Sequence, residues 1–263
     1  MTGATILGGI AGPDLTAAER DFFRAADPWG FILFGRNIDT PERLRRLTAD
    51  LRAAVGRDAP VLIDQEGGRV QRMRAPHWTD WPAPLDQAAN GDRAIWLHHH
   101  LMARELQAMG IDADCAPVLD IARDDTHPFL KNRCLGADAA TVTRLGRIAA
   151  DAMLAAGVLP VVKHMPGHGR ARVDSHKDLP VVDAPLAELM ATDFAPFRAL
   201  ADLPKAERAA PGRLIGQSRA QVNKAIAAAA VIARCTSARP TQTPCEMTPP
   251  RPRAIRRPRA TRS

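Results

Sequence analysis

The chain has 263 residues, 46% of them hydrophobic, and a formal net charge of +7. This length is enough for one large α/β domain with a sizeable core. No apolar run reaches the roughly 18 residues that a membrane-spanning helix needs, and the N-terminus lacks a basic segment followed by an apolar one. The four cysteines form no Cys-x-x-Cys pair. We therefore expect a cytoplasmic protein with free thiols and no contact with membranes.

The positive charge is concentrated in the C-terminal part of the chain. Residues 205–263 hold 13 of the 36 basic but only 2 of the 29 acidic residues, a net charge of +11, which leaves residues 1–204 with a net charge of −4. None of the 22 aspartates lies after Asp202. We predict a folded domain over residues 1–204, an aberrant segment with the composition of an Ala-rich helix over residues 205–234, and a disordered Arg/Pro/Thr-rich tail over residues 235–263.

Short apolar runs alternate with longer amphipathic segments over the first two hundred residues. We predict strands at residues 6–10, 30–34, 61–63, 111–118 and 158–162. Helices are predicted between and after these strands, because capping residues precede apolar residues at helical spacing. Four of the five helices begin near Thr16, Thr40, Asp138 and Asp183, and the last of them extends to Leu200. The remaining helix has Ile95, Met102, Leu106 and Met109 on one face and ends at Gly110.

Repeated strand–helix units with short connections predict a parallel sheet covered by helices. No Gly-x-Gly-x-x-Gly motif follows the first strand, whereas polar motifs follow several strands, with Asp64 after the third and Lys163-His164 after the fifth. This scatter favours a barrel, whose site is built at the carboxyl ends of many strands. The predicted fold is therefore α/β, a TIM (β/α)8-type barrel truncated to about five or six β/α units, with a disordered basic tail.

The segment after the fifth strand carries residues suited to acid/base chemistry. An apolar run ends in Lys163-His164, and the Gly and Pro residues that follow exclude a helix. Asp174 lies two residues before His176. A carboxylate that holds one ring nitrogen raises the basicity of the other, as a general acid/base near neutral pH requires. The alternative interpretation is a loop turn with an exposed histidine.

Asp64 opens a second polar motif, which continues through two glycines to Arg69 and Arg72. Asp64 is placed to accept hydrogen bonds from substrate hydroxyl groups, and the arginines suit ion pairs or an anion. The alternative interpretation is a network of salt bridges at the rim of the barrel.

The sequence does not favour metal binding by its histidines. Residues 164, 168, 174 and 176 include ligand types that suit zinc, but Lys163 disfavours a nearby cation and the spacing matches no compact zinc signature. The sequence therefore predicts neither a metal site nor a cofactor. His98, His99 and His100 lie within a predicted helix, where we expect a solvated face.

Five motifs together resemble the β-N-acetylhexosaminidase branch of glycoside hydrolase family three, bacterial enzymes of cell-wall recycling. They occur in the family's order across roughly residues 5–204, and the Asp-Ser-His segment separates this branch from the family's β-glucosidases. The motifs occupy residues 30–37, 64–72, 116–120, 163–169 and 174–177.

The resemblance implies a TIM barrel that removes non-reducing N-acetylglucosamine from muropeptide-type sugars, with retention of configuration. It gives His176 the role of proton donor and acceptor, oriented by Asp174, so that a histidine replaces the second carboxylate of the common scheme. The residues that match the family's sugar-binding positions are Asp64, Arg72, Arg133, Lys163 and His164.

The chain departs from the family after Pro204. The family's nucleophile is an aspartate in an Asp-Asp-Leu-Ser-Met-like segment after a later strand, and this chain has no such segment. A shifted reading frame in a GC-rich gene would produce a tail of this composition. We therefore expect turnover far below that of an intact family member, and poor solubility from an open sheet edge.

Two further functions remain open on the sequence alone. The first is a non-catalytic domain that binds an amino sugar through the residues at positions 64, 72, 163 and 164. The second, less favoured, is binding of nucleic acid or another anionic polymer through the arginines of the tail. No aromatic residue lies among these arginines, which disfavours readout of a nucleic acid by base stacking. We expect a monomer in each case.

Overall fold

The structure is a computed structural model that describes residues 6–173 and 181–203. The predicted Ala-rich helix within residues 205–234 and the predicted disordered tail over residues 235–263 lie outside the described residues. The same is true of the two predicted catalytic residues, Asp174 and His176. The described residues comprise the sheet, the helices around it and the predicted sugar-binding residues.

Most of the described strands form one parallel sheet, and a hairpin lies beside it. The order in the sheet is β1-β2-β3-β6-β7, with every neighbouring pair parallel, and β4 and β5 form the antiparallel hairpin. The strands are β1 (Ile6–Leu7), β2 (Gly30–Leu33), β3 (Val61–Ile63), β4 (Gln65–Gly67), β5 (Val70–Gln71), β6 (Ala113–Asp114) and β7 (Leu159–Pro160).

The five predicted strands are confirmed as members of the main sheet, although most are shorter than the apolar runs that contain them. Each strand lies beside the strand that precedes it in this sheet along the chain. A doubly wound sheet instead reverses its strand order at a switch point, and the described strands show no such reversal. The sheet therefore has the sequential parallel order that β/α barrels share.

Helices follow the strands, and the predicted capping residues begin three of them. Thr16 forms a capping box with Glu19, and the side chains of Thr40 and Asp138 accept hydrogen bonds from backbone N–H groups of the first turn. Within the described part of the chain, no helix is long and apolar enough to cross a membrane. The helices are α1 (Ala17–Ala26), α2 (Pro41–Val55), α3 (Pro84–Ala88), α4 (Asp92–Ala108), α5 (Pro128–Lys131), α6 (Ala139–Ala155), α7 (Leu186–Ala191) and α8 (Ala195–Ala199).

The prediction of one continuous helix up to Leu200 is wrong, because the chain breaks between α7 and α8. Thr192 leaves the helical conformation there, with φ −114° and ψ −86°. The buried carboxylate of Asp193 accepts hydrogen bonds from Arg123, Arg170 and the Thr192 hydroxyl, at 2.9, 2.8 and 2.7 Å. These contacts, two of them with distant loops, outweigh the local helical pattern.

The two faces of the sheet have different coverings. Alternate residues of β3, Val61 and Ile63, belong to the large core that contains residues of α1, α2, α4 and α6. Leu62 points to the opposite face, where it packs with Ala113 and Leu159 of the neighbouring strands. Helices α1, α2 and α4 contribute no residue to this second cluster. The helices therefore pack mainly on one face, as they do around a barrel.

The prediction that the histidines of α4 form a solvated face is wrong for two of the three. His99 is 1% exposed and its Nδ1 lies 3.0 Å from the carbonyl oxygen of Ile95. His98 is 7% exposed and packs edge-on against the ring of Trp81. The segment that carries Trp81 therefore covers the part of α4 where His98 lies.

We expect the Asp138→Ala substitution to lower the free energy of unfolding by about 1 kcal/mol, because it removes the N-cap of α6. The Asp138 side chain accepts a hydrogen bond of 2.9 Å from the backbone N–H of Thr141, and this bond lowers the pKa of Asp138. Urea denaturation measures the loss. As a control, the Asp151→Ala substitution at an exposed position of the same helix should be neutral or slightly stabilising.

Candidate active site

The predicted sugar-binding residues meet at the carboxyl ends of the strands. Asp64 directly follows β3, and Lys163 lies three residues beyond β7, where it forms a parallel bridge with Val118. Arg72 directly follows β5, and Arg133 lies two residues beyond α5. The structure brings these four side chains and His164 into one connected cluster, while Asp174 and His176 lie outside the described residues.

Asp64 lies between two cations. Its Oδ1 is 2.8 Å from Nζ of Lys163, and its Oδ2 is 3.2 Å from Nη2 of Arg72. Burial raises the pKa of Asp64, but the attraction of Lys163 and Arg72 outweighs this effect and leaves the pKa below its usual value. Asp64 is therefore an ionised hydrogen-bond acceptor at neutral pH.

Glu66 joins the two buried cations of the site. Its Oε1 lies 2.5 Å from Nζ of Lys163 and 2.7 Å from Nη2 of Arg133, and its Oε2 accepts a bond of 2.7 Å from Nε of Arg133. Burial lowers the pKa of both Lys163 and Arg133, but their contacts with Glu66 and nearby carboxylates raise each pKa above its usual value. The Glu66 side chain is 1% exposed, so it supports the site from below.

Asp120 supports the site from the segment that follows β6. Its Oδ2 lies 2.6 Å from Nδ1 of His164, and its Oδ1 accepts a bond of 2.6 Å from the backbone N–H of His168. Nε2 of His164 lies 3.2 Å from Nη2 of Arg133. The cluster is thus one chain of contacts that runs from the half-buried Arg72 to the fully buried Asp120.

The hairpin β4–β5 explains how Asp64 and Arg72, eight positions apart, can meet. Gly67 and Gly68 have φ of +95° and +58°, conformations that favour glycine, and a Cβ atom on Gly67 would lie 2.4 Å from the carbonyl oxygen of Pro82. The Gln65 side chain accepts a hydrogen bond of 2.8 Å from the backbone N–H of Arg72. This tight turn returns the chain so that Arg72 reaches Asp64.

Glu66 and Asp120 were not among the predicted site residues. Both occur in the quoted motifs, and Asp120 ends an apolar segment in the same way as Lys163 ends its own. That position, a polar residue directly after an apolar run, is the signal that could have identified Asp120. Glu66 gave no such signal, because its partners are remote in sequence.

Asp114 lies beneath the cluster, at the end of β6. It is fully buried, and its Oδ1 accepts a hydrogen bond of 2.8 Å from the backbone N–H of Gln65. Burial raises the pKa of Asp114 well above its usual value, and the neighbouring carboxylates of Asp64 and Glu66 add to this effect. Its Oδ2 has no hydrogen-bond partner among the described residues. Burial thus favours the protonated form of this carboxyl group at the floor of the site.

The loop after β7 is held by contacts at its described end. Arg170 donates to the buried carboxylate of Asp193 at 2.8 Å, and the backbone N–H of His168 is held by Asp120. Across residues 6–173 and 181–203, no group of three or more His, Cys, Asp or Glu is arranged to hold a metal ion. The predicted acid/base pair, Asp174 and His176, follows in the sequence and lies outside the described residues.

The formal charges of the cluster balance. Three basic residues face three acidic ones, and His164 lies between Asp120 and Arg133. A site for phosphate or another anion would carry an excess of positive charge. This arrangement instead presents several hydrogen-bond donors and acceptors without a strong preference for an ion. It suits a neutral ligand with many hydroxyl groups.

A sequential parallel α/β sheet with a charge-balanced polar cluster at its carboxyl edge defines a β/α domain with a polar site at the ends of its strands. Comparison with known families makes this assignment specific. The family model described as the glycosyl hydrolase family 3 N-terminal domain matches residues 18–206. The chain therefore belongs to this family.

Two relatives show the extent of the likeness. A β-hexosaminidase of Stenotrophomonas maltophilia (strain K279a) is 36% identical over 201 residues, which are 74% of this chain and 59% of that protein. NagZ from Neisseria gonorrhoeae, solved in complex with N-trifluoroacetyl-D-glucosamine, is 32% identical with a TM-score of 0.71, over 76% of this chain and 60% of that chain.

A third relative has the same fold in a larger protein. A glycoside hydrolase family 3 β-N-acetylglucosaminidase from Paenibacillus is 32% identical with a TM-score of 0.72, over 76% of this chain and 39% of that chain. The chain thus spans about three fifths of the length of the curated β-hexosaminidase that it matches. Its match to the family model covers the region that contains the polar cluster.

Proposed function

We propose that the chain carries the sugar-binding part of a retaining β-N-acetylhexosaminidase, specific for non-reducing N-acetylglucosamine. The balanced set of three cations and three carboxylates carries this proposal, because it matches a neutral sugar better than an ion. The relatives support it, since one is named a β-hexosaminidase and another was solved with an N-acylglucosamine.

In this proposal, the members of the cluster that keep some exposure to solvent contact the sugar. Asp64 accepts hydrogen bonds from hydroxyl groups, while Lys163 and Arg72 donate to them. His164, with 36% of its side chain exposed, and Arg133 complete the proposed set of sugar contacts. Glu66 and Asp120 are too deeply buried to touch a substrate and instead hold these groups in place.

We further propose that Asp174 and His176 form the acid/base pair and that the fold is a partial barrel of about five or six units. The sequential strand order and the one-sided helix packing support a barrel. In the cell, the proposed substrates are muropeptide-type sugars released during peptidoglycan recycling, and the proposed location is the cytoplasm. The proposed form is a monomer.

A second candidate function is binding of the amino sugar without hydrolysis. The observation that favours it is the lack of any aspartate after Asp202. In the enzymes that this chain resembles, the nucleophile is an aspartate that follows a later strand. A retaining glycosidase without its nucleophile cannot form the glycosyl-enzyme intermediate. The two candidates share the sugar-binding residues and differ only in turnover.

Calorimetry and an activity assay together separate these candidates. We expect the purified chain to bind N-acetylglucosamine and to release p-nitrophenol from p-nitrophenyl N-acetyl-β-D-glucosaminide about 10³-fold or more slowly than the S. maltophilia relative, because loss of a nucleophile typically has effects of this size. Turnover equal to the relative, and lost in the His176→Ala variant, would show that another group in this chain acts as nucleophile. Absence of sugar binding would reject both candidates.

The binding site itself is tested by the Asp64→Asn variant. We expect its dissociation constant for N-acetylglucosamine to rise at least ten-fold, because a hydrogen bond to a charged acceptor contributes about 1.5–3 kcal/mol. The Asp21→Asn substitution on the exposed face of α1 is the matched control and should leave affinity unchanged. Equal affinity of the Asp64→Asn variant and the unaltered chain would place the sugar elsewhere.

A further inference from the structure

Asp120 has an unusual combination of complete burial and direct contact with a site residue. Its side chain is 0% exposed, and its Oδ2 lies 2.6 Å from Nδ1 of His164. Its Oδ1 accepts one hydrogen bond of 2.6 Å from the backbone N–H of His168 and a longer one of 3.4 Å from that of His164. A buried carboxylate with these contacts fixes both the backbone and the imidazole ring of the loop that follows β7.

The contacts of His164 determine which ring nitrogen carries its proton. The carboxylate of Asp120 can only accept, so Nδ1 of His164 carries hydrogen. On the other side, Nη2 of Arg133 can only donate, so Nε2 of His164 must present its lone pair. The two neighbours therefore select the same tautomer, with hydrogen on Nδ1 and an acceptor at Nε2.

This tautomer has a consequence for Arg133. The guanidinium group is held by Glu66 through Nε and Nη2, and by Nε2 of His164 through Nη2. If hydrogen moved to Nε2, two donors would face each other at 3.2 Å and the guanidinium group would be displaced. The position of Arg133 thus depends on Asp120 through the ring of His164.

We propose that Asp120 is a positioning residue that sets the tautomer of His164 and, through it, the position of Arg133 in the sugar-binding cluster. The role in sugar affinity rests on the function proposed above, whereas the effect on the tautomer does not. A ligand could not reach Asp120 itself, because its side chain is fully buried, so Asp120 acts on the site only through His164.

The Asp120→Asn substitution tests this role with almost no change in shape. Two backbone N–H groups face Oδ1, so the amide oxygen of the new side chain should remain there as their acceptor. The amide nitrogen then takes the place of Oδ2 and donates to Nδ1 of His164. Because Nδ1 must now accept, the hydrogen moves to Nε2, where it opposes Arg133.

Nuclear magnetic resonance reads this change directly. In ¹⁵N-labelled protein, long-range ¹H–¹⁵N correlations of the imidazole ring distinguish the two tautomers, and the His164→Gln variant identifies the signal. We expect hydrogen on Nδ1 in the unaltered chain and on Nε2 in the Asp120→Asn variant. The Nε–H signal of Arg133 should shift in the same variant. Hydrogen that stays on Nδ1 in the Asp120→Asn variant would overturn the proposal.

The matched control is the Asp112→Asn substitution just before β6. Asp112 also accepts from a backbone N–H and an arginine, at 2.8 and 2.7 Å, but it lies outside the site. It should leave the His164 and Arg133 signals unchanged. A shift of the same size in this control would mean that general loosening of the fold, and not the Asp120 contact, moves the ring.

Calorimetry with N-acetylglucosamine tests the consequence for binding. We expect a dissociation constant at least ten-fold higher in the Asp120→Asn variant, and an unchanged one in the Asp112→Asn control. A changed tautomer with unchanged affinity would overturn the positioning role. If the unaltered chain binds no sugar, the proposed function fails, while the tautomer measurement still decides whether Asp120 positions His164 and Arg133.

Discussion

The Glu66→Gln substitution is expected to lower the free energy of unfolding by about 3–5 kcal/mol and to abolish binding of N-acetylglucosamine. Glu66 is the only carboxylate in the described cluster that contacts both Lys163 and Arg133. Both cations are largely withdrawn from water, with 14% and 9% of their side chains exposed. Removal of one charge from this buried set therefore leaves the others poorly compensated.

The size of the effect follows from what glutamine can offer in this position. Its amide oxygen can accept from one of the two cations, but its NH₂ group faces the other as a second donor. Lys163 keeps its contact with Asp64 at 2.8 Å, whereas Arg133 loses both of its bonds to the carboxylate or keeps only one. Breaking a buried ion pair on one side is strongly destabilising, even where the intact pair contributes little net stability.

Urea denaturation and calorimetry measure the two parts of this prediction. The Glu105→Gln substitution is the control, since Glu105 accepts from the neutral donors of Thr79 and Trp81 at 2.8 and 3.0 Å. We expect this control to lose less than about 1.5 kcal/mol, because neutral partners depend less on the carboxylate charge. If the two variants were equally stable, Glu66 would not be the centre of the cluster.

A Glu66→Gln chain that does not fold would itself be consistent with the prediction, since small domains have only about 5–15 kcal/mol of stability. The Glu66→Asp variant then gives a second measurement, because it keeps the charge and shortens the reach. We expect it to fold and to bind the sugar more weakly than the unaltered chain. Full affinity in this variant would show that the geometry around Lys163 and Arg133 is not important.

The parts of the fold that sequence alone predicts depend on residues close together in the chain. A cap at Thr16 or Asp138 is formed by groups three positions apart, so the pattern contains all the participants. The strands are likewise short apolar runs between polar loops, and their parallel arrangement follows from the helices that separate them. Local patterns of residues are therefore sufficient to locate these elements.

The contacts that sequence alone misses join distant segments. Glu66 and Arg133 are 67 positions apart, and His164 and Asp120 are 44 apart. Nothing in the local pattern of either segment indicates that they meet. The break at Asp193 has the same origin, because arginines from two other loops hold its carboxylate. Sequence motifs therefore predict most residues of the site. The supporting roles of Glu66 and Asp120 become visible only in the packed structure.

We expect the free energy of unfolding to decrease as the pH falls below neutrality, because two histidines of α4 are buried. Burial lowers the pKa of His98 to about 3, with a contribution from His99, and burial lowers the pKa of His99 to about 4, against a usual value of 6.5. Nε2 of His98 has no hydrogen-bond partner in the described part of the chain. Both rings are therefore neutral in the folded state at pH 5, where an unfolded chain would bind protons.

The direction of the effect follows from proton binding. Between pH 6.5 and about 4, the unfolded chain binds more protons at these two sites than the folded chain, so stability falls as the pH falls. Each histidine is expected to contribute its full stabilisation above pH 6.5 and to lose about 2 kcal/mol of it between pH 7 and pH 5. Together they would remove a large fraction of the stability of a typical domain.

Urea denaturation at pH 7 and pH 5 tests this prediction in the unaltered chain and in two variants. The His99→Asn variant keeps an amide donor near the Ile95 carbonyl, and the His98→Phe variant keeps an aromatic ring against Trp81; neither replacement titrates in this range. Each should reduce the loss between the two pH values by about 2 kcal/mol. The His77→Asn substitution at an exposed position should leave the loss unchanged. Equal loss in all four proteins would show that groups other than these two rings cause the acid sensitivity.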